Sequence, residues 1–275
     1  MKKKTVLNLI LFIVLLVIAV LFVIPIVYCF CTSLKTSSEI LTQGTFLPHN
    51  ITWENYEYVF ARGSQYLTYY WNTIVITFWG VLITVLFASL GGYAFAKLPF
   101  PGSNAVMVFI LFVVTFPLAA LMIPVYIMEF KLNLLNTHIG LILPNVMNVL
   151  PFAVFLMRGV FKDIPDELID SAEIDGCSVP RTWWSVMLPI AKNGLIIVLI
   201  NAFYVIWGEF TMASALATQQ NAMPISVALT LLKGEDWRYG VLGAVITLSI
   251  IPPITIFSIF EKEMVAGLAQ GAVKG

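Results

Sequence analysis

Covalent chemistry has few candidates in this chain. Its two histidines, His49 and His138, sit in no cluster with Glu, Asp or Cys at ligand or triad spacing. Cys29 and Cys31 are two apart at an expected helix end and point to different sides, and Cys177 lies far away. That pattern suits packing residues better than a disulfide framework or a zinc site. No catalytic residue and no metal site is therefore expected. The sequence also lacks a Gly-x-x-x-x-Gly-Lys-Ser/Thr loop, so the chain is not expected to hydrolyse ATP itself. What remains is non-covalent chemistry at two places. One is an acid-rich stretch, Pro165-Asp-Glu-Leu-Ile-Asp-Ser-Ala-Glu-Ile-Asp-Gly176, continuing to Val186-Met-Leu-Pro189. The other is a set of polar and aromatic residues inside apolar runs: Asn145, Asn148, Asn201, Tyr204, Trp207 and Glu209.

The second set has the residue types of a solute pathway. Asn145 and Asn148 share a helix face beside Pro144, and Asn201 and Tyr204 do so further on. Buried amides must find partners. Sugars offer hydroxyls to them and apolar faces to tryptophan, but hydrogen bonding between helices accounts for intramembrane Asn equally well. Glu209 falls roughly 28 Å along a helix counted from Ile190, near the outer edge of a ~30 Å hydrocarbon core. Ionisation is cheap there, which suits a group lining an outer gate better than a proton relay.

The acid-rich stretch has the features of a short helix with a defined end. Pro165 suits a first turn, Asp163 a cap, and Asp166 and Glu167 place negative charge where the helix dipole favours it. Leu168, Ile169 and Ala172 form an apolar strip flanked by Asp170 and Glu173. Gly176 terminates the helix in the left-handed conformation. Ser178 then caps a second arm carrying Arg181, Trp183 and Trp184, and Pro189 leads into the next apolar run. A helix lying on a membrane surface usually carries Lys or Arg on its polar face. This first arm has acids at 166, 167, 170, 173 and 175 and no base, so a groove on a protein is the better receptor.

The elements that hold these residues are membrane spans. Hydrophobic residues fill 60% of 275 positions and charged ones 11%, with a mean hydropathy of +0.93. A soluble domain carries about a quarter charged residues. Apolar runs near 7–30, 72–96, 104–128, 139–157, 190–212 and 241–260 are each long enough to cross a bilayer. The first follows Lys2-Lys3-Lys4 but is too long for a signal peptide and lacks a cleavage pattern, so a retained span is expected. The fold class expected is thus an all-α polytopic membrane protein with six transmembrane helices. Prolines at 117, 124, 144, 151, 252 and 253 predict broken or kinked spans around a cavity.

Six spans put both termini on one side. That side carries Lys2, Lys3, Lys4, Lys97, Arg158, Lys162, Arg181, Lys192, Lys262 and Lys274, against Lys35, Arg62, Lys131, Lys233 and Arg238 on the other. The positive-inside rule therefore places both termini, and the acid-rich stretch, in the cytoplasm. The expected organisation is an N-terminal helix and outer loop over 1–70, a five-helix transmembrane domain over 71–262 that includes the cytoplasmic segment at about 163–189, and a tail over 263–275.

At this point a resemblance becomes specific. Asp170-Ser171-Ala172, three residues, Gly176, nine residues, then Val186-Met187-Leu188-Pro189 is similar to the "EAA" loop of ATP-binding-cassette importer permeases, whose pattern is E-A-A, three residues, Gly, nine residues, I-x-L-P. The departures are Asp for Glu, Ser for the first Ala and Val for Ile; Ser171 enlarges one contact position. Gly91-Gly-Tyr-Ala-Phe-Ala-Lys97 and Gly267-Leu-Ala-Gln-Gly-Ala-Val-Lys-Gly275 resemble the carbohydrate branch, the six-span subunit of maltose-type systems.

The resemblance implies a type I importer permease fold in a bacterial or archaeal cell (inner) membrane. It implies a second permease subunit, two ATPase subunits that bind ATP and Mg, and an extracytoplasmic binding protein, with no cofactor on this chain and no nucleic-acid partner. Asp170, Ser171, Ala172, Asp175, Gly176, Leu188 and Pro189 would couple to the ATPase, with Ala172 as the tight contact and Asp175 as a hydrogen-bonding or ion-pairing group. The tail at 261–275 would reach the ATPase interface, and the loop at about 211–239 would meet the binding protein. From its residues alone that loop reads equally well as a helix packed on the spans. The alternatives are an importer of a non-sugar solute and a secondary transporter, the latter wanting ionisable groups near the midplane, where none is expected here.

Overall fold

Four helices in the computed structural model are long and apolar enough to cross a membrane, and two bent pairs of helices raise the number to as many as six. The structure describes residues 2–61, 64–98, 100–231 and 238–273, with side chains from 6 to 264. Arg62, Lys233, Lys274 and the polar run at 233–237 lie outside the described residues. Every regular element among those described is helical. The chain forms two compact units, one of Met1–Leu67 with Ala228–Pro252, the other of Thr68–Val227 with Pro253–Gly275.

The first unit is built on α1 (Lys2–Ser33). Its apolar side chains from Val6 to Phe30 are exposed on all sides, as suits a helix solvated by lipid. The unit gains specificity where α1 ends. Asn55, on α3 (Glu54–Phe60), donates its amide to the carbonyls of Ser33 and Lys35 at 2.9 and 2.8 Å. Ser33 Oγ meets Tyr56 Oη at 2.8 Å. Between them α2 (Ser37–Thr42) starts at Thr36, whose hydroxyl accepts from the Glu39 N–H. Glu39 in turn accepts from the backbone N–H of His49 at 2.8 Å, and that bond holds its carboxyl below the usual carboxylate range.

The second unit is organised along α4 (Gln65–Lys97). From residue 68 on, Asn72, Thr73, Ile76, Thr77, Gly80, Thr84, Ala88 and Gly92 are among its buried residues, and their recurrence about every four residues forms one continuous stripe that winds slowly around the helix. Small residues on that stripe let backbones approach closely, which drives helix association in lipid. A Cβ at Gly92 would lie 2.5 Å from Met157 Cβ and 2.8 Å from the Arg158 nitrogen, so only glycine permits this crossing with α7 (His138–Lys162). Around it, Tyr93, Met157, Phe161, Ile164, Met187 and Val198 form a buried core.

Two expected spans differ from straight helices. The run at 104–128 is α5 (Ser103–Val114) and α6 (Leu118–Lys131), bent by 95° just before Pro117 and Leu118. The run at 190–212 is cut at both ends: α11 is Lys192–Trp207, and it meets the preceding helical segment Val179–Ile190 at 82°. By contrast, α7 runs unbroken through Pro144 and Pro151. Each proline removes one ladder bond, and the rest of the ladder carries the helix across. In α14 (Tyr239–Val273) the departure from helical geometry is at Phe260, not at Pro252-Pro253. The helix continues to Val273, so most of the expected tail is regular backbone.

Candidate functional site

The acid-rich stretch folds as a helix with a sharp stop. α8 is Glu167–Ile174. Its end is a Schellman turn: Cys177 N–H donates to Ala172 C=O at 2.9 Å and Gly176 N–H to Glu173 C=O at 3.0 Å. Gly176 takes φ +76°, with nothing within 4 Å of where a Cβ would stand. Asp163 ends α7 and does not cap α8, and Asp166 holds the N-cap position without a side-chain cap bond. Ser178 likewise precedes α9 (Val179–Thr182) with no side-chain cap bond.

The faces of α8 differ from the expected apolar strip. Ala172 is 6% exposed and Ile169 packs against the core, so Ala172 is taken up inside the chain and is not the open contact. The apolar side chains offered outward are Ile174, 87% exposed, and Leu168. Asp170, Ser171, Asp175 and Gly176 are exposed beside them, and Ser171 Oγ folds back to the Glu167 carbonyl at 2.7 Å. Beyond α9 the chain widens into a π-helical turn, Trp183–Met187, then α10 (Leu188–Ile190). Pro189 has no N–H to return to the preceding turn, which suits a wide turn there. Leu188 is half-buried against the core and Pro189 is exposed.

One residue ties this segment to the body of the unit. Lys97, the last residue of α4, donates its ammonium to the Ile164 carbonyl at 2.5 Å and pairs with Asp166. The Lys97 side chain is 5% exposed and that of Asp166 78%. A nearly buried cation is costly unless paired and hydrogen-bonded, so this grip fixes where the stretch leaves the membrane helices.

The other candidate residues are scattered, with one exception. Asn145 and Glu209 line one small cavity of about 10 Å³, with Thr73, Thr77, Leu141 and Ile206, room for about one water. Asn145 donates to the Leu141 carbonyl at 2.9 Å. Its Oδ1 and the hydroxyl of Thr77 are buried without a partner among the described residues. Glu209 is not along a span. It lies in the turn after α11 and caps α12 (Thr211–Leu216), its two oxygens accepting from Met212 N–H and Ala213 N–H at 2.7 and 2.9 Å. Trp207 stacks on Phe203 with ring centroids 5.5 Å apart, Tyr204 donates to the Pro253 carbonyl at 2.9 Å, and Asn201 is half-buried on α11.

Asn148 lines a different cavity, of about 250 Å³, in the angle between α5, α6 and α7. Its walls are apolar apart from Asn148 and Glu129. Glu129 is 1% exposed, and its Oε2 has no partner among the described residues. It falls just past the apolar run at 104–128, and no local signal in the sequence marks its burial. Its burial comes from the close return of the chain at Gly140, where a Cβ would lie 2.8 Å from Glu129 Oε2.

The segment after Glu209 is woven into the unit. Asn136 Oδ1 accepts from the Thr218 and Gln219 N–H groups at 2.7 and 2.9 Å, and Asn221 donates to the Asn136 carbonyl. Asn72 donates to the Gln220 and Met223 carbonyls at 2.9 and 3.0 Å and meets His138 Nε2 through its oxygen. Thr73 Oγ1 accepts from Ile225 N–H at 2.9 Å. The first half of the expected outer loop is therefore packed on the spans. Asn72, Thr73 and Asn136 carried no sequence signal beyond polarity, and nothing in the sequence joined Lys97 to Asp166, because these partners are far away along the chain.

Comparison with known proteins agrees with this architecture. The family model described as "Binding-protein-dependent transport system inner membrane component" matches residues 88–265. The arabinooligosaccharides transport system permease protein AraQ of Halalkalibacterium halodurans is 32% identical over the whole of both chains. The trehalose transport system permease protein SugB of Mycobacterium tuberculosis is 31% identical, with 92% of each chain covered. Among solved structures, a chain of a bacterial ABC transporter involved in the import of the acidic polysaccharide alginate superposes with a TM-score of 0.83 at 26% identity, covering 95% of this chain and 98% of that one.

Proposed function

Since the chain belongs to the family of binding-protein-dependent transport system inner membrane components, we propose that it is the sugar- or oligosaccharide-importing member of a permease pair. The observation that carries the sugar reading is its end-to-end likeness to permeases named for arabinooligosaccharides and trehalose. In this reading the chain crosses the membrane six times, each bent pair counting as one span, with both termini in the cytoplasm. The segment at 163–189 then faces a separate ATPase, which holds ATP and Mg, and α8 is the helix that docks. Its exposed Ile174 and Leu168, rimmed by acids, offer an apolar contact with charged edges. An extracytoplasmic binding protein delivers the solute on the opposite face. The chain itself performs transport and no covalent step.

Alternating access follows from differential packing. ATP-driven closure of the ATPases would draw the docked helices together, and the rigid unit behind α8 would rock between two arrangements. Purification of the tagged chain from its native membrane tests the assembly: a second permease and an ATPase must come with it. Screening the cognate binding protein against neutral oligosaccharides, alginate-type acidic saccharides and amino acids tests the solute class. Binding of amino acids alone would move the chain out of the sugar branch.

A further inference from the structure

Helix α4 is gripped at both ends by polar side chains, and the two grips hold the two segments that matter for coupling. At one end Lys97 bonds the Ile164 carbonyl and pairs with Asp166, at the root of α8. At the other, Asn72 bonds the carbonyls of Gln220 and Met223, and Thr73 accepts from Ile225 N–H. Between them α4 is one uninterrupted helix with no proline, so helical rise separates Asn72 from Lys97 by about 37 Å. Its buried face runs the whole way. A Cβ at Gly80 would lie 2.8 Å from Ile206 Cδ1, and at Gly92 closer still to α7, so the helix cannot slide past its neighbours without their moving with it.

We infer that α4 is a strut: Lys97 and Asn72 are positioning residues that carry displacement of α8 to the 216–226 segment at the far end of the unit. The inference rests on the proposed role of α8 as the ATPase-docking helix. α7 also reaches both segments, and α4 differs from it in that side chains of the helix itself make the bonds at both places. α7 reaches the root of α8 through its C-terminus, but its N-terminal connection binds the far segment through Asn136, on the loop before the helix. α11 meets the preceding helical segment Val179–Ile190 at 82°. By reciprocity of coupling, load at the far segment must affect α8 by the same coupling free energy.

The test uses the assembled importer in proteoliposomes, with Cys29, Cys31 and Cys177 replaced by Ser and Gln219→Cys as a reporter on the exposed far segment. The probe is MgATP with vanadate, and the readout is the change in maleimide labelling rate that it causes. The parent complex should change its rate about tenfold. Lys97→Met and Asn72→Leu should each flatten that change to under twofold while basal ATP hydrolysis and subunit stoichiometry persist, and Lys97→Arg should restore it. A merely structural role would lower the yield of complex and leave the change per complex intact, which would overturn the strut. If either variant fails to assemble, Asp166→Ala and Thr73→Val cut one bond at each end and must weaken the response. Gly176→Val separates the two levels of the claim. A response lost in Gly176→Val but intact in the α4 variants removes the strut and leaves the docking helix standing. A response intact in all of them removes both.

Discussion

The segments that leave α7 and α11 are both short helices strung between membrane helices, yet they are built in opposite ways. The α8 segment is held at its root by Lys97 and turns its acids and Ile174 outward. The 208–227 segment is pinned by Asn72, Thr73, Asn136 and Glu209, and Ala213, Leu216, Ala217 and Met223 are buried. On the proposed function, α8 keeps its contacts for a partner, whereas the 208–227 segment spends its polar groups within the chain. The difference leaves side chains exposed on the α8 segment and takes them up within the chain on the 208–227 segment.

Gly176→Val strikes the docking side hardest. Valine at φ +76° costs about 1–2 kcal/mol, and since nothing lies within 4 Å of the added Cβ, the damage is to the turn and not to packing. Solute uptake should fall at least tenfold with normal membrane insertion; unchanged uptake would remove the contrast between the two segments. On the 208–227 side, Asn136→Ala leaves two backbone N–H groups without their acceptor and puts alanine at φ +58°. A loss of about 2–3 kcal/mol is expected, read as a lower Tm of the detergent-solubilised protein. Glu209→Gln removes the charge and leaves one of the Met212 and Ala213 N–H groups without its acceptor, and should cost about 1–2 kcal/mol. A larger fall in uptake than in Tm would return Glu209 to the pathway.

The smallest effect lies in the first unit. Because the Glu39 carboxyl is held below its usual range by the His49 N–H, its stabilisation is present at neutral pH and is lost as pH falls through that lowered value. The Tm difference between the parent and Glu39→Gln should therefore close on acidification below about pH 4. A gap that widens in acid would contradict the assignment.

The legible parts of the sequence were those set by local pattern. Apolar length located the long helices, and an acid-rich run closed by Gly176 predicted α8 and its left-handed stop. The illegible parts depend on partners distant in sequence. Pro117 coincides with a break while Pro144 and Pro151 do not, because the fate of a proline in lipid depends on what packs beside it. Glu209 read as a group along a span because hydropathy does not report that α11 stops at Trp207. Leu168, Ile169 and Ala172 read as one apolar strip, yet Ala172 is covered by its own chain and Leu168 is exposed, because periodicity identifies an apolar face without saying what covers it.

The length of α1 has a consequence for the lipid. Its apolar stretch, Val6–Ser33, has 28 residues, about 42 Å at helical rise, against a hydrocarbon layer of ~30 Å. The Ser33 end is tethered by Asn55 and Tyr56, so the surplus must be absorbed by tilt or by overhang at the Lys2 end. Hydrophobic mismatch thereby makes acyl-chain length a variable of this protein's energetics, acting through the helix that its own chain covers least.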